Sequence, residues 1–458
     1  LNSSERNLSA TETLVLEELR AFNATKHITV ALSGGMDSKV LLNICWRLRE
    51  LGFVSHVSAL HVDHGLQPHS QDWRMQCLQD CEFYRIPFSY ETLNLAPQAS
   101  ANVEALARDA RYQVFESYLN TANSEPTGDS HYLLLAHHED DQAETLLFRL
   151  IRGCGIAGAA AMPVQRKLGD GFLLRPLLKV TKRQIEEYAI ANHLQWIEDP
   201  SNNSEAFSRN YLRHQVMTKL TAKWPSVAHS FARFASVARE QNELLKALAE
   251  EDSQLVLTPH GELLVEHLLK LSRVRQRNLL HQWGASHLAF APTNNEVNQV
   301  IKQLPAALEG AQINIDFSSG RIRSYLGRLV LTQKHEPSND FDSQQWLDFK
   351  VPLRLANGIE LFASVQSAPG LRLPKVHEVV SVGARKGGER VCPDYRTKTT
   401  SLKKVYQELA VPPWQREWLP IVFYNDQIVA VPGVFVEKRY LCSDSEKALD
   451  IRLRKATD

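Results

Sequence analysis

The chain is poor in sulfur chemistry. Six cysteines, Cys45, Cys77, Cys81, Cys154, Cys392 and Cys442, are scattered over 458 residues, and no Cys-x-x-Cys occurs. That argues against zinc and iron–sulfur centres. It suits a reducing cytoplasm better than a disulfide scaffold. Cys77 and Cys81 lie one helical turn apart and read as core packing. No apolar run approaches membrane-spanning length and no secretory pattern opens the chain, so no membrane partner is expected. Net charge is absent too. The 52 Lys and Arg balance 52 Asp and Glu, so composition alone gives no sign of a nucleic-acid partner. There is also no Gly-Lys-Ser, which removes the Walker loop from consideration.

What is present is an ordinary globular composition, 43% hydrophobic and 23% charged, in a chain too long for one core. Strand patterns at 27–32, 55–62, 88–93 and 131–136 alternate with helical patterns at 38–51, 70–84, 101–119 and 140–152. This alternation predicts an α/β fold, a Rossmann-like parallel sheet with helices on both faces. From Met217 to about Leu308 the chain reads helical, rich in Ala, Leu, Glu and Arg. Short alternating runs return at 313–317, 321–331, 351–355 and 359–365, and the loop Pro337-Ser338-Asn339-Asp340 marks a boundary. We expect a catalytic domain over 1–216, a mainly helical domain over 217–340, and a small mixed α/β domain over 345–458.

Ser33-Gly34-Gly35-Met36-Asp37-Ser38 follows the first strand and opens the next helix. Two glycines let the backbone approach an anion, and a helix N-terminus offers free N–H groups and a positive dipole end. Ser33 and Ser38 add hydroxyl donors. Asp37 sets a carboxylate beside phosphates, where a magnesium ion would make it welcome. Three further motifs fall at the carboxyl ends of the strands or near them, where ligands of such folds sit. The first is His61-Val62-Asp63-His64-Gly65, in which His64 is the better site candidate and His61 reads as a core histidine. The second is Glu104-x-x-x-Arg108-x-x-Arg111-Tyr112, one helical stripe that is either a surface ion pair or a clamp on phosphate. The third is His137-His138-Glu139-Asp140-Asp141-Gln142-Ala143-Glu144-Thr145, where Asp141 and Glu144 share a helical face. Acids in a first turn also favour the dipole, but three acids and two histidines exceed what a cap needs. Arg152-Gly153-x-Gly155-Ile156-x-Gly158 either wraps a ligand or stops the helix. Arg209 and Arg213, four apart, present one cationic stripe, with a surface pairing to Glu205 as the plain alternative. Residues 371–410 carry a local basic excess.

The glycine loop resembles the pyrophosphate loop of the N-type ATP pyrophosphatases. The whole set, in this order and with two added domains, resembles the bacterial tRNA(Ile)-lysidine synthetase family. Arg175-Pro176-Leu177-Leu178, Asp199-Pro200-Ser201-Asn202 with Arg209-Asn210, Gly387-Gly388-Glu389-Arg390 and Pro412-Pro413-Trp414-x-Arg416 belong to it. Glu139 departs mildly, since Asn or Asp is more usual there. The resemblance implies a sheet of the adenine nucleotide alpha hydrolase type and the cofactors ATP and Mg2+. It implies that the wobble cytidine of the CAU-anticodon tRNA(Ile) is adenylated at its C2 oxygen, and that free L-lysine then displaces AMP. On that reading Asp37, Arg108, Asp141, Glu144 and Arg209 serve catalysis. Ser33, Gly34, Gly35, Met36, Asp37, Ser38, His64 and Arg111 bind ATP, with Asp37 also holding Mg2+. Arg152, Arg213, Arg390, Lys403, Lys404 and Arg416 meet tRNA. Oligomeric state stays open, a homodimer included. A tRNA thiolase on the same scaffold is the nearest rival, but it would need cysteines near the site. A non-catalytic nucleotide- or RNA-binding module is the rival of another class, and the intact Asp37 and acidic helix argue against it.

Overall fold

The computed structural model describes residues 7–63, 70–93, 103–123, 130–198, 208–287, 292–317, 320–332, 334, 337, 341–366, 370–442 and 447–455. The chain forms two compact units, Leu1–Leu244 and Leu245–Asp458.

The first unit opens on α1 (Ala10–Ala21), where Ser9 and Glu12 cap reciprocally. Then β1 (His27–Ala31), α2 (Met36–Glu50), β2 (His56–Asp63), α3 (Ser70–Phe83), β3 (Phe88–Thr92), α4 (Val103–Ala122), β4 (His131–Leu134) and α5 (Glu139–Ile151) follow in strict alternation. All four strands pair in parallel. Alternate side chains of each strand enter opposite cores. Ala59, Tyr132 and Leu134 join a core shared with α1, α2 and α3. Leu60 and Leu133 join a second core with Phe115 and Leu119 of α4. The helices therefore cover both faces of the sheet, as the alternation predicts.

The sequence reading stops the sheet at β4, and the structure extends it. After α6 (Ile156–Ala159), a hairpin of β5 (Gln165–Leu168) and β6 (Gly171–Leu174) completes six strands in the order β3-β2-β1-β4-β6-β5. β6 runs parallel to β4, and β5 is an antiparallel edge. β5 has only one buried residue, so its polar run carries no hydrophobic alternation to read. β1 lies between β2 and β4, which makes the gap between β1 and β4 the topological switch point. The glycine loop after β1 and the acidic turn after β4 both open onto it. α7 (Lys182–Ala191), α8 (Ser208–Tyr211), a π-helical stretch over Leu212–Met217, α9 (Thr218–Lys223) and the start of α10 (Val227–Val256) complete the unit.

The second unit has two cores. One gathers residues from Ala249 to Leu329, with α11 (Val265–Lys270), α12 (Arg273–His287) and α13 (Asn294–Leu308) beside an antiparallel sheet. That sheet comprises β7 (Leu263–Leu264), β8 (Asn314–Asp316), β9 (Arg321–Tyr325) and β10 (Arg328–Thr332). The run read as one strand over 321–331 is thus a hairpin. Its turn is Leu326-Gly327, both at positive φ. Leucine is not among the usual first residues of such a turn, and the signal is hidden. The other core runs from Phe341 to Ile451 and carries, among the described residues, three antiparallel sheets, of five, four and two strands, with two short α-helices. Among the described residues no helix is long and apolar enough to cross a membrane.

Candidate active site

Gly34 sits at φ +87°, and a Cβ there would lie 3.0 Å from Ile197 Cδ1 and 3.3 Å from Cys77 Sγ. The conformation demands glycine, and the space for a Cβ is tight. Its carbonyl accepts from Ile197 N at 3.0 Å, fixing the loop. Gly35 caps α2 without a side-chain bond, so the first N–H groups of the helix stay available to an anion. Ser38 Oγ donates to Gly35 O at 2.9 Å and accepts from Ser33 N at 3.2 Å, while the two hydroxyls lie 3.1 Å apart. Met36 is buried beneath the loop.

Across the switch point, the first turn of α5 is knitted to α2 and α7. Lys182 carries the link. Its Nζ donates to Asp37 Oδ1 at 2.7 Å, and its backbone N donates to Asp140 Oδ2 at 2.9 Å. His138 stands among three carboxylates, 3.8 Å from Asp37, 3.7 Å from Asp140 and 3.5 Å from Asp141. Burial opposes its charged form, but the neighbouring Asp140, Asp141 and Asp37 outweigh burial and raise its pKa. A cleft of about 510 Å3 opens here, lined by Asp37, His138, Asp140, Glu144, Lys182 and Arg213.

Asp141 and Glu144 are buried and share one face of α5, as their spacing predicts. The face belongs to arginines. Arg213 Nη2 donates to Asp141 Oδ1 at 3.0 Å and to Glu144 Oε2 at 2.9 Å, and its Nε donates to Glu144 Oε1 at 2.7 Å. Arg209 lies 3.4 Å from Asp141 and 3.5 Å from Glu144. Burial would raise the carboxyl of Asp141, yet His138, His137, Arg209 and Arg213 hold it down at about 2. The π-helical stretch places Arg213 within this contact, a departure from regular helix of a kind frequent at functional sites.

On the other side of His138 lies a cationic cluster. Arg108 and Arg166 stack over the Tyr112 ring, at 5.5 and 5.0 Å. Buried Arg175 donates to Tyr112 Oη at 3.2 Å, to Pro163 O at 2.8 Å and to His137 Nδ1 at 3.3 Å. Burial first, then the charges of Arg175, Arg209 and Arg108, push His137 down to about 3.

Family models match the chain in three stretches: a PP-loop domain over residues 7–220, a TilS substrate binding domain over 263–330 and a TilS substrate C-terminal domain over 380–453. The tRNA(Ile)-lysidine synthase of Coxiella burnetii is 36% identical over 92% of this chain and 91% of its own length. That of Pectobacterium atrosepticum is 36% identical over 90% of this chain and 91% of its own. The chain belongs to the tRNA(Ile)-lysidine synthase family. Among solved structures, a U34-tRNA thiolase of Methanococcus maripaludis is 19% identical, with a TM-score of 0.41 over 50% of this chain and 78% of that one.

Within this lysidine synthase family member, the expected site residues do not all fall together. Ser33 to Ser38, Asp141, Glu144, Arg209 and Arg213 come together at the cleft. Arg108 and Arg111 lie on the exposed side of α4, Arg108 over Tyr112. His64, the side chain of Glu104, the turn Asp199–Asn202 and Glu205 lie outside the described residues. The expectation that Arg213 meets tRNA sits beside a fact the sequence hides, that its donors already bond two carboxylates. Arg152 is exposed over the Phe148 ring. In the tail Arg390, Lys403 and Lys404 are exposed. Arg416 bonds Val411 O at 2.7 Å and Tyr325 Oη at 3.0 Å. Arg372, Arg385 and Arg396 pair with Glu378, Glu389 and Glu408, which trims the basic excess read from composition. Glu139 has a local reason, since its longer chain reaches His229 Nδ1 at 3.3 Å.

Sequence reasoning missed Lys182 and gave Arg175 no role. A signal existed for the first. Lys182 and Arg183 follow the N-cap Thr181, and cations there oppose the helix dipole.

Proposed function

We propose that this chain joins L-lysine to C2 of the wobble cytidine of the CAU-anticodon tRNA(Ile), using ATP, and that the cleft between β1 and β4 is where both steps occur. The observation that supports this best is the meeting of a phosphate-binding loop and a buried acid pair at one switch point. ATP lays its phosphates on the loop and on the free N–H groups of α2. The cytidine C2 oxygen attacks the α-phosphorus, an O–P bond forms, and the bond to pyrophosphate breaks. The lysine ε-amine, having lost a proton, attacks C2, and AMP leaves with the oxygen. Adenylation is needed because the C2 oxygen is otherwise a poor leaving group.

Among the described residues no group of three acids, histidines or cysteines forms a metal cage. That fits an ion arriving with the nucleotide, since Mg2+ takes one or two carboxylates plus phosphates. Asp37 is the carboxylate beside the loop that would hold it. Mg2+ would neutralise the charge that gathers on the phosphates.

Lysine reads the acid pair. Asp141 and Glu144 have four oxygens between them: three accept from Arg213 or Arg209, and Asp141 Oδ2 accepts from His138 N at 3.1 Å. An incoming ammonium must therefore share these oxygens with a guanidinium or displace it, since each oxygen has a second lone pair. Exposed Arg390, Lys403 and Lys404 serve the tRNA backbone, and the chain works in the cytoplasm. The sulfur-transfer alternative has less support, because Cys45 and Cys77, the cysteines of α2 and of the helix beside the loop, are both buried and that burial pushes their thiols up, away from the reactive thiolate. Mass spectrometry of nucleosides from the CAU-anticodon tRNA(Ile), after incubation with chain, ATP and lysine, tests the proposal. Lysidine is expected, and unchanged cytidine overturns it.

A further inference from the structure

The buried arginine behind the cleft carries a consequence for its neighbour. Arg175 is 3% exposed, on the segment between β6 and α7, and it bonds three acceptors at once. A guanidinium has donors only and never accepts. Whichever imidazole nitrogen faces it must therefore present a lone pair, and the proton of a neutral ring must sit on the other nitrogen. Here Nδ1 faces Arg175 Nε, so Nε2 carries the proton. The ring is also held neutral, first by burial and then by the charges of Arg175, Arg209 and Arg108, which oppose a second proton against Asp141 alone. Among the described residues the Nε2–H has no hydrogen-bond partner, so it is a donor without an acceptor at the carboxyl end of β4.

Resting on the function proposed above, we infer that Arg175 is a positioning residue that locks His137 as the neutral Nε2–H tautomer, and that His137 donates this hydrogen bond to a substrate oxygen that gains charge during adenyl transfer. In that step the C2 oxygen bonds to phosphorus and pyrophosphate leaves, so charge moves over the phosphoryl oxygens. A neutral donor stabilises it and keeps its own proton. An imidazolium would compete with Lys182 and the arginines for the same acids, and the other tautomer would aim a lone pair at an anion. The Tyr112 hydroxyl and the Pro163 carbonyl complete the clamp, fixing the guanidinium plane and through it the ring. Such support of a reacting group by a second layer of hydrogen bonds typically changes activity about 10- to 100-fold.

The test begins with the free full-length chain, labelled at histidine nitrogen and followed by NMR, with His137→Gln assigning the signal. The expected spectrum shows His137 neutral with the proton on Nε2 from pH 8 down to about pH 5. A protonated ring at pH 6, or an Nδ1–H tautomer, overturns the inference without any substrate. Arg175→Met, which keeps bulk and removes every donor, should give mixed tautomers and a histidine limb near pH 6 to 7 in the pH profile of pyrophosphate release. Its kcat should fall about 10- to 100-fold with the KM for ATP within about threefold. Arg175→Lys, which retains one donor, should recover part of kcat. Unchanged kcat and an unchanged pH profile in Arg175→Met would reject the positioning role. If that variant fails to fold, Tyr112→Phe loosens the clamp at a milder cost and should shift the tautomer balance in the same direction; an unmoved signal there counts against the clamp. Should the chain make no lysidine at all, the NMR result still stands or falls on its own.

Discussion

Two of the described helices, one at the cleft and one in the tail, carry lysine in their first turn against their own dipole, and they treat the conflict differently. In α7 the lysine is Lys182, and Asp37 takes its charge at 2.7 Å. In the tail helix α14 (Leu402–Glu408) the lysines are Lys403 and Lys404, both exposed, with no ion pair among the described residues. A cation in a first turn forgoes about 0.3–1 kcal/mol that an acid would gain there. At the cleft that loss is offset by a contact joining three elements. In the tail no ion pair among the described residues offsets it, Lys404 having only the more distant charge of Glu408, and a phosphate from outside would. Paired charge fixes a geometry, whereas open charge waits for a partner. Each experiment below tries to break that division.

The largest effect is expected at the paired end. Asp37→Asn removes the charge that holds Lys182 and would hold Mg2+, and pyrophosphate release should fall about 100- to 1000-fold. Lys182→Met should cost less, because Asp37 remains. Near-normal release in Asp37→Asn would reduce the carboxylate to a helix cap and dissolve the contrast.

Next comes the acid pair. Glu144→Gln keeps the shape and removes a charge, and the KM for lysine should rise at least about tenfold, since a desolvated ion pair to a ligand is worth about 1.5–3 kcal/mol. Arg213→Met should lower stability by roughly 1–3 kcal/mol by chemical denaturation, less than the full cost of an orphaned buried charge because Arg209 stays beside Glu144. A lysine KM unmoved in Glu144→Gln would assign the acid pair to folding alone.

The two adjacent histidines should then separate by pH. His137 is depressed to about 3, so the unfolded chain binds its proton first. Its contribution to stability is whole above the ordinary histidine value near 6.5 and is lost as pH falls from there toward 3. His138 is raised, so its contribution is whole below 6.5 and is lost as pH rises through its folded value. His137→Asn should therefore flatten the acid limb between about pH 6 and 4, by at most about 1.4 kcal/mol per pH unit. An unchanged limb would mean that His137 is not held neutral by its surroundings.

Much of this was legible before any coordinates. The strand–helix alternation gave the parallel sheet, and Ser33 to Ser38 declared a phosphate loop by composition and position. The acid spacing put Asp141 and Glu144 on one face. What escaped depends on contacts between segments far apart in the chain. Arg213 and Glu144 are 69 residues apart, and Lys182 and Asp37 are 145 apart. No local pattern encodes such pairs. Leu326 hid a hairpin because its positive φ is imposed by the strands it joins rather than by its own preference. Arg416 was expected at tRNA, and the bonds of its Nε and Nη2 to the Val411 carbonyl and the Tyr325 hydroxyl are likewise contacts that no local pattern encodes.

The smallest effect is expected at the open end, and it is the sharpest test of the division. Lys403 and Lys404 are exposed at the start of α14, held there by the Ser401 cap, while Leu402, Val405 and Tyr406 bury the opposite face. Reversing both charges to Glu leaves that core intact and even suits the dipole, so the folded tail should be no less stable. If the lysines meet phosphates, each contact releases counterions, and losing two should lower the salt slope of tRNA affinity by roughly 1 to 2. Affinity should drop at low salt and converge with the parent at high salt, where released ions no longer matter. ATP binding, carried by the glycine loop of the other unit, should not move. A stabilised tail with an unaltered salt slope would show that open charge at a helix start can be tolerated without a partner, and the contrast with Lys182 would then concern the cleft alone.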